Sequence, residues 1–206
     1  MAKQPQSIDS LIFNRIVSRG AGHVFTAADF LRLGSRDAVD QALSRQARSG
    51  AIRKLARGLY DLPRHDPQLG TLLPSIDAIT AALRGRHAVR LQPTGAYAAN
   101  LLGLSDQVPM RIVFLTDGLA RHVRVGNQQI VLKRTTPRNM ATAGRTSGLV
   151  IQALRYLGRR RVDDEVVNVL RARLSPDERR QLLRDVQFAP AWVADVMRRV
   201  AVAAGD

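Results

Sequence analysis

The sequence contains no cysteine, and this absence excludes a disulfide scaffold, a thiolate metal site and a cysteine nucleophile. It also has no apolar run near the roughly 20 residues that a membrane-spanning helix needs. The first ten residues, MAKQPQSIDS, lack the apolar centre of a signal peptide. We therefore expect a cytoplasmic protein.

Lysine is scarce, whereas arginine is abundant. Lysine occurs only at Lys3, Lys54 and Lys133, so arginine supplies most of the 32 basic residues. The sequence has 17 acidic residues. The formal net charge of +15 creates a long-range positive field, and nucleic acid is the commonest polyanion that such a field attracts. A highly charged soluble surface is the alternative. A membrane surface is disfavoured, because the basic residues are spread along the chain.

The first 65 residues show an order of three helices and a hairpin. The apolar spacing predicts helices over about 7–19, 27–33 and 36–49. Thr26 and Ser35 are the expected caps of the second and third helices. Two short extended stretches, 52–55 and 59–62, flank a tight turn and predict a β-hairpin. This order is typical of a winged helix-turn-helix, and we assign that DNA-binding domain to residues 1–65.

In such a domain the third helix enters the major groove and the hairpin lies along the backbone or the minor groove. Arg36 could donate two parallel hydrogen bonds to guanine, and Gln41 could pair with adenine. Asp37 and Asp40 oppose this interpretation if they face phosphate, unless they cap the helix or pair with neighbouring arginines. The predicted DNA-binding residues are Thr26, Ser35, Arg36, Gln41, Ser44, Arg45, Arg48, Arg53, Lys54 and Arg57.

A stretch with two prolines and a glycine, residues 62–70, predicts a linker. The elements predicted after it are a helix to about Leu83, a strand over 87–92, a helix from Gly95 to Leu102 and strands over 111–116, 121–125 and 129–134. We expect the last three strands to form an antiparallel meander, and the chain to be helical from Thr146 onward. We assign residues 66–206 to an α+β domain that ends in a helical bundle, which makes the whole chain α+β.

Enzyme signatures are weak in this sequence. Residues 33–36, LGSR, look like the Gly-Ser signature of nucleotidyltransferases, but the pair of magnesium-binding aspartates expected about ten residues later is missing from 47–50. Gly34 and Ser35 are better explained as a helix stop and an N-cap. A nuclease is disfavoured because Lys133 has no acidic neighbours. A metal site is disfavoured because the four histidines have no ligand partners at helical spacing. We expect no enzymatic activity, no cofactor and no metal site.

A second candidate site begins the helix after Pro93. Its small residues and free N–H groups, together with nearby polar side chains, could contact RNA, a nucleotide or a protein partner. The candidate residues are Arg90, Gln92, Gly95 and Tyr97. Tight packing of a helix on a sheet is the alternative, since glycine and alanine are also expected there. The basic run Arg159–Arg161 is either a solvated turn or a secondary phosphate contact.

Several segments resemble one known family. Residues 25–30 (FTAADF), 33–45 (LGSRDAVDQALSR) and 53–61 (RKLARGLYD) resemble the N-terminal winged helix of AbiEi-type antitoxins. Residues 92–104 (QPTGAYAANLLGL), 113–118 (VFLTDG) and 149–154 (LVIQAL) look like the C-terminal domain of that family. The resemblance covers about residues 7–200. It implies an antitoxin of a type IV toxin–antitoxin system, which represses its own operon and counteracts a nucleotidyltransferase-like toxin without catalysis.

The resemblance leaves direct contact with the toxin open, because the C-terminal domain of that family often acts without a stable complex. Two other roles also stay open. A generic winged-helix regulator would carry an enclosed pocket for an effector in its second domain. A protein-binding module would expose a large apolar patch near Tyr97 or Trp192 and would have a third helix that is buried or neutral.

Overall fold

The computed structural model describes residues 6–85 and 89–202. The chain forms two compact units, the first made of Met1–Val89 with Arg124–Gly126 and the second of Arg90–Val123 with Asn127–Asp206. Each unit contains both helices and strands, which confirms the predicted α+β class. None of the helices within the described ranges combines the length and the apolarity that crossing a membrane requires.

Three helical segments begin the first unit. Helix α1 spans Ile8–Val17 and α2 spans Arg36–Arg48, and Ala27–Phe30 between them forms a 3₁₀ turn. The hydroxyl of Ser35 accepts a hydrogen bond from the N–H of Ala38 at 3.3 Å. This bond satisfies one of the free donors at the start of α2 and confirms the predicted cap.

The helix predicted over 27–33 is wrong in type and length. The carboxylate of Asp29 accepts hydrogen bonds from the backbone N–H and the hydroxyl of Thr26, at 2.8 and 3.1 Å, and this capping box closes a single tight turn. The cap of α2 at Ser35, with Gly34 before it, leaves too few residues after Phe30 for α-helical hydrogen bonds. The segment between the two caps is therefore a turn.

The strands of the first unit are β1 (Val24–Phe25), β2 (Arg53–Ala56), β3 (Leu59–Asp61), β4 (Arg64–Asp66) and β5 (Gly70–Leu72). They form an antiparallel sheet in the order β1-β3-β2 and a separate antiparallel pair, β4-β5. The β2–β3 hairpin is as predicted. The linker predicted at 62–70 is wrong, because that stretch forms β4 and begins β5. Helix α3 of this unit spans Ile76–Arg84.

Aromatic side chains join the helices of the first unit to its sheet. The rings of Phe25 and Phe30 meet edge to face with their centroids 5.5 Å apart, and Tyr60 stacks on Phe25 at 6.3 Å. Phe25 and Phe30 are fully buried together with Ile12 and Leu43 of the two helices. Burial of this apolar surface fixes α1 and α2 against the sheet.

The sheet of the second unit comprises β6 (Leu91–Thr94), β7 (Arg111–Thr116), β8 (Arg121–Val125) and β9 (Gln128–Arg134). Its order is β6-β7-β9-β8, and β7 pairs with β9 in parallel, so the predicted antiparallel meander is wrong. The burial pattern explains this order: β9 has three consecutive buried residues, Ile130–Leu132, which suits a central strand. Strand β8 alternates between exposed and buried side chains, which suits an edge. His87, predicted near the start of β6, lies outside the described residues.

The helices of the second unit are α4 (Gly95–Leu101), α5 (Pro137–Met140), α6 (Thr146–Leu157), α7 (Asp164–Arg173), α8 (Pro176–Asp185) and α9 (Ala191–Ala201). Two of these helices begin with side-chain caps: the carboxylate of Asp163 accepts a hydrogen bond from the N–H of Val166 at the start of α7, and Ser175 forms a capping box with Glu178 at the start of α8. Helix α6 lies in the centre of this unit, where Val150 and Leu154 are fully buried.

Candidate nucleic-acid interface

Helix α2 is fixed to the first unit by one apolar face and one polar contact. Val39, Ala42 and Leu43 are fully buried. Nε2 of Gln46 donates a hydrogen bond to the backbone carbonyl of Asp9 at 2.9 Å, which ties α2 to α1. The opposite face of α2 is exposed to solvent. A helix held on one side and open on the other can enter the major groove of a duplex.

Four exposed side chains follow one line along this open face: Asp37, Gln41, Ser44 and Arg48, which we call the α2 row. Their spacing of four, three and four residues places them on one side of the helix over about 16 Å. Within the described residues, the side chains of Gln41 and Ser44 have no hydrogen-bond partner. Nε of Arg48 reaches only the carbonyl of Ser44, at 3.4 Å. The donors and acceptors of the row therefore face solvent.

Arg36 lies beside the row and is held by its neighbour one turn on. Its Nε donates to the carboxylate of Asp40 at 2.7 Å, and this hydrogen bond raises the pKa of the guanidinium above its usual value. The side chain of Arg36 is nevertheless 62% exposed. Asp40 thus orients Arg36 without enclosing it. Of the roles that the sequence leaves open for this aspartate, the structure shows pairing with a neighbouring arginine.

Arg45 takes part in an internal ion pair. Nε and Nη2 of Arg45 donate to the two carboxylate oxygens of Asp9 at 2.8 and 2.7 Å. This bidentate contact lowers the pKa of Asp9, with the hydrogen bond as the largest cause. Asp9 lies on α1, so the ion pair fastens the C-terminal half of α2 to that helix. It also neutralises the charge of Arg45, one of the predicted DNA-binding residues.

The three basic residues predicted on the hairpin have different surroundings. Arg53 is engaged inside the fold, where Nε and Nη2 donate to the carboxylate of Asp61 at 3.0 and 2.6 Å. Lys54 and Arg57 are exposed, and Arg57 lies in the turn between β2 and β3. The hairpin therefore presents Lys54 and Arg57 to solvent, while Arg53 stabilises the strands.

The hydroxyl of Ser35 caps α2, whereas the hydroxyl of Thr26 contacts the carboxylate of Asp29. Thr26 donates to Asp29, and Ser35 accepts from Ala38. The hydroxyl hydrogen of Ser35 is not used by that bond, so a donor remains at the N-terminus of α2. Ser35 is exposed, whereas Thr26 is half-buried.

Positive charge at this face is unevenly distributed. On α2, Arg36 and Arg45 are each paired with an aspartate, and Arg48 shares the row with Asp37. The helix is therefore close to neutral and offers hydrogen bonds more than net charge. A duplex would meet the positive field of this unit on the hairpin and at Arg15 of α1.

The second candidate site is mostly occupied by internal contacts. Nε of Arg90 donates to Asp117 at 2.8 Å and its Nη1 donates to the carbonyl of Met140 at 3.1 Å. The first of these hydrogen bonds lowers the pKa of Asp117. Tyr97 is buried, and its ring meets Phe114 edge to face at 5.7 Å. These contacts correspond to the packing alternative for this segment.

Gln92 and Gly95 are also set by packing and backbone geometry. Gln92 is 1% exposed, and its Nε2 donates to the carbonyl of Pro93 at 3.1 Å, while its Oε1 has no hydrogen-bond partner among the residues that the structure describes. A Cβ at Gly148 of α6 would overlap this Oε1 and the carbonyl oxygen of Thr142. Gly95 has a φ of +65°, which L side chains rarely adopt, at the junction of β6 and α4. The candidate residues thus define a close contact of α6 with the sheet.

Two further basic features are exposed. Arg159–Arg161 forms a 3₁₀ turn with all three side chains at the surface. Arg15 of α1, Arg19 just after α1 and Arg32 line one groove, a grouping that the sequence analysis missed. In the helix predicted over 7–19, the i, i+4 spacing of Arg15 and Arg19 places them on one face and was the signal for it. Arg32 lies in the turn before α2, which periodicity does not predict.

Comparison with known proteins identifies a matching family. A family model described as "Family of unknown function (DUF6088)" matches residues 11–182, from within α1 to within α8. No curated protein sequence matches the chain. Because the matched segment covers more than half of the sequence and includes both compact units, the chain belongs to the DUF6088 family.

Proposed function

We propose that the first unit is a winged helix-turn-helix domain that binds double-stranded DNA, with α2 as the helix that enters the major groove. The α2 row is the observation that carries this proposal. The major groove, about 12 Å wide, admits an α-helix. Glutamine pairs with adenine and arginine with guanine at base edges, and serine contacts either, so Gln41, Ser44 and Arg48 are suited to reading a sequence.

Arg36 and the hairpin complete the proposed interface. The Nε contact with Asp40 leaves the terminal amino groups of Arg36 to donate to guanine O6 and N7. Lys54 and Arg57 lie on the hairpin, where they would contact phosphates without distinguishing sequences. In this division of roles, α2 supplies specificity and the hairpin supplies affinity that depends on salt.

We further propose that the protein is a cytoplasmic repressor of its own operon and a type IV-like antitoxin without catalytic activity. Support comes from the resemblance of residues 25–61 and 92–154 to AbiEi-type antitoxins. The functional partner would be a nucleotidyltransferase-like toxin encoded beside it. Co-expression with that neighbouring gene should relieve growth arrest, and failure to relieve it would leave a winged-helix regulator without an antitoxin role.

A second candidate role for the second unit is contact with another protein. Val108 and Met110, in the segment that leads into β7, are 63% and 67% exposed. Apolar side chains exposed to this degree are typical of protein-binding surfaces when they are grouped. These two side chains are the observation in favour of a protein partner for the second unit.

The DNA-binding proposal is tested by titrating duplexes with the full chain. A duplex from the region upstream of its own gene is compared with a shuffled duplex of the same composition, at two salt concentrations. We expect tighter binding to the upstream duplex and a marked loss of affinity for both duplexes at the higher salt concentration. Equal binding to both at each salt concentration would contradict sequence reading, and no binding to either would contradict the proposal altogether.

A further inference from the structure

A groove of about 500 Å³ lies along α1, opposite the turn that precedes α2. The residues of this groove that matter here are Asn14, Arg15, Ser18, Arg19, Asp29 and Arg32. They include three arginines and one aspartate, so the groove carries a net charge of about +2 at neutral pH. All of them belong to the first compact unit.

One arginine of the groove is held in place by three contacts. Nη1 of Arg19 donates to Nε2 of His23 at 3.1 Å and lies 3.7 Å from the carboxylate of Asp29. Its guanidinium carbon also lies 6.0 Å from the centroid of the Phe30 ring, within the range of a cation–π contact. The position of this positive charge is therefore fixed before any ligand binds, which reduces the entropy lost on binding.

The other two arginines have the opposite character. Arg15 and Arg32 are exposed, and neither has a hydrogen-bond or ion-pair partner for its side chain in the described part of the chain. Some exposed arginines elsewhere, such as Arg36, Arg45 and Arg198, are instead paired with aspartates. The groove thus brings two unpaired guanidinium groups beside a fixed third one, and guanidinium groups match the geometry of phosphate oxygens.

We propose that this groove binds phosphate groups, and that in the bound complex these are backbone phosphates of DNA next to the bases that α2 reads. The DNA source rests on the proposed function. Arg32 precedes Arg36, the first residue of α2, by four residues, so it lies within about 14 Å of the start of that helix. A helix in the major groove has a sugar–phosphate strand on each side, and a groove beside its N-terminus can reach one of them.

The test compares two double variants of the full chain. Arg15→Gln with Arg32→Gln removes two charges from the groove, and Arg64→Gln with Arg84→Gln removes two exposed charges of the same unit outside it. Affinity for the upstream and shuffled duplexes is measured across a salt series. We expect the groove variant to lose affinity for both duplexes alike, with a salt slope smaller by about two, and the control to keep a slope closer to the wild type.

A second measurement separates DNA phosphate from a free phosphate compound. Inorganic pyrophosphate is added to isotope-labelled full chain, and the Nε–H signals of the arginines are followed by NMR. Shifts at Arg15 and Arg32 that saturate, without comparable shifts at Arg64, support a phosphate-binding groove. This conclusion holds even if the wild type binds no duplex, although that absence of binding would contradict the proposed function.

The outcomes are distinct. A changed salt slope supports the groove as a DNA-phosphate site. An unchanged slope with saturating pyrophosphate shifts supports phosphate binding and excludes DNA as its source. An unchanged slope without pyrophosphate shifts overturns the proposal, while sequence-specific binding by the wild type would still support the role of α2.

Discussion

Arg53 donates two hydrogen bonds to Asp61, a carboxylate that has no solvent-exposed surface. Nη2 of Arg53 also donates to the carbonyl of Leu72 at 2.8 Å. One guanidinium group therefore joins β2, β3 and β5. This relationship explains why a basic residue on the hairpin contributes to the fold, and it restricts the DNA contacts that we propose for the hairpin to Lys54 and Arg57.

Replacing Arg53 should destabilise the first unit. In Arg53→Ala the carboxylate of Asp61 stays buried without its charge partner, and we expect the free energy of unfolding to fall by about 3 kcal/mol or more. Lys54→Ala, an exposed neighbour on the same strand, should change it by less than about 0.5 kcal/mol. Urea unfolding followed by circular dichroism measures both. Equal effects of the two substitutions would show that the buried pair does not stabilise the hairpin.

A methyl group at Gly148 should destabilise the second unit. The added Cβ would overlap the carbonyl oxygen of Thr142, which cannot move away without shifting the backbone. We expect Gly148→Ala to cost about 1–3 kcal/mol, the usual range for overpacking. The matched control is Gly34→Ala, where the Cβ would overlap the flexible end of the Ile8 side chain and otherwise make an ordinary contact with Ala38. Thermal unfolding should show the larger loss for Gly148→Ala, and the reverse order would contradict the close contact of α6.

His23 should make stability depend on pH near neutrality. Partial burial and, secondarily, the charge of Arg19 lower the pKa of His23 below its usual value of 6.5, although Asp29 opposes this. The unfolded chain therefore binds more protons than the folded one in this range. The contribution of neutral His23 is fully present above about pH 6.5 and is lost as pH falls through the lower folded pKa.

The measurement is urea unfolding of the wild type and His23→Gln between pH 7.5 and pH 5. The wild type should lose stability on acidification. The variant should lose less, because glutamine at position 23 does not titrate. The pKa of His23 can be read directly from its ring signals by NMR. A folded pKa at or above 6.5 would refute the expected direction.

Substitutions on the hairpin and on α2 should affect DNA binding in different ways. Arg57→Ala should weaken binding to the upstream and shuffled duplexes alike and flatten the salt slope, because phosphate contacts carry no sequence information. Gln41→Ala should weaken the upstream duplex selectively, by about 1–3 kcal/mol if Gln41 contacts a base. Fluorescence anisotropy with both duplexes separates these effects. If Arg57→Ala left affinity and salt dependence unchanged, the hairpin would have no place in the interface.

Local patterns in the sequence predict much of the fold. The cap at Ser35 and the bounds of β7 and β8 follow from side-chain chemistry and spacing within a few residues. Strands β4 and β5 could not be predicted in this way. They are three residues each, and Pro63, Pro67 and Gly70 give the stretch the composition of a linker. The parallel pairing of β7 and β9 depends on strand order, which local periodicity does not encode.

The position of the candidate site could be predicted from the sequence, but the ion pairs of its arginines could not. Exposed positions of α2 follow from periodicity, so Gln41, Ser44 and Arg48 were identified with their correct exposure. The ion pairs of Arg45 and Arg53 were not, because the partners are 36 and eight residues away and meet only after the helices and strands pack. An arginine-rich sequence therefore overstates the number of guanidinium groups that are free to bind a ligand.

The central claim is that the α2 row distinguishes DNA sequences, and one ratio tests it most directly. It is the affinity of the full chain for the upstream duplex divided by its affinity for the shuffled duplex, measured for the wild type and for a Gln41→Ala, Ser44→Ala, Arg48→Ala variant. We predict a wild-type ratio well above one that falls close to one in the variant. A ratio that stays high in a folded variant would contradict the account.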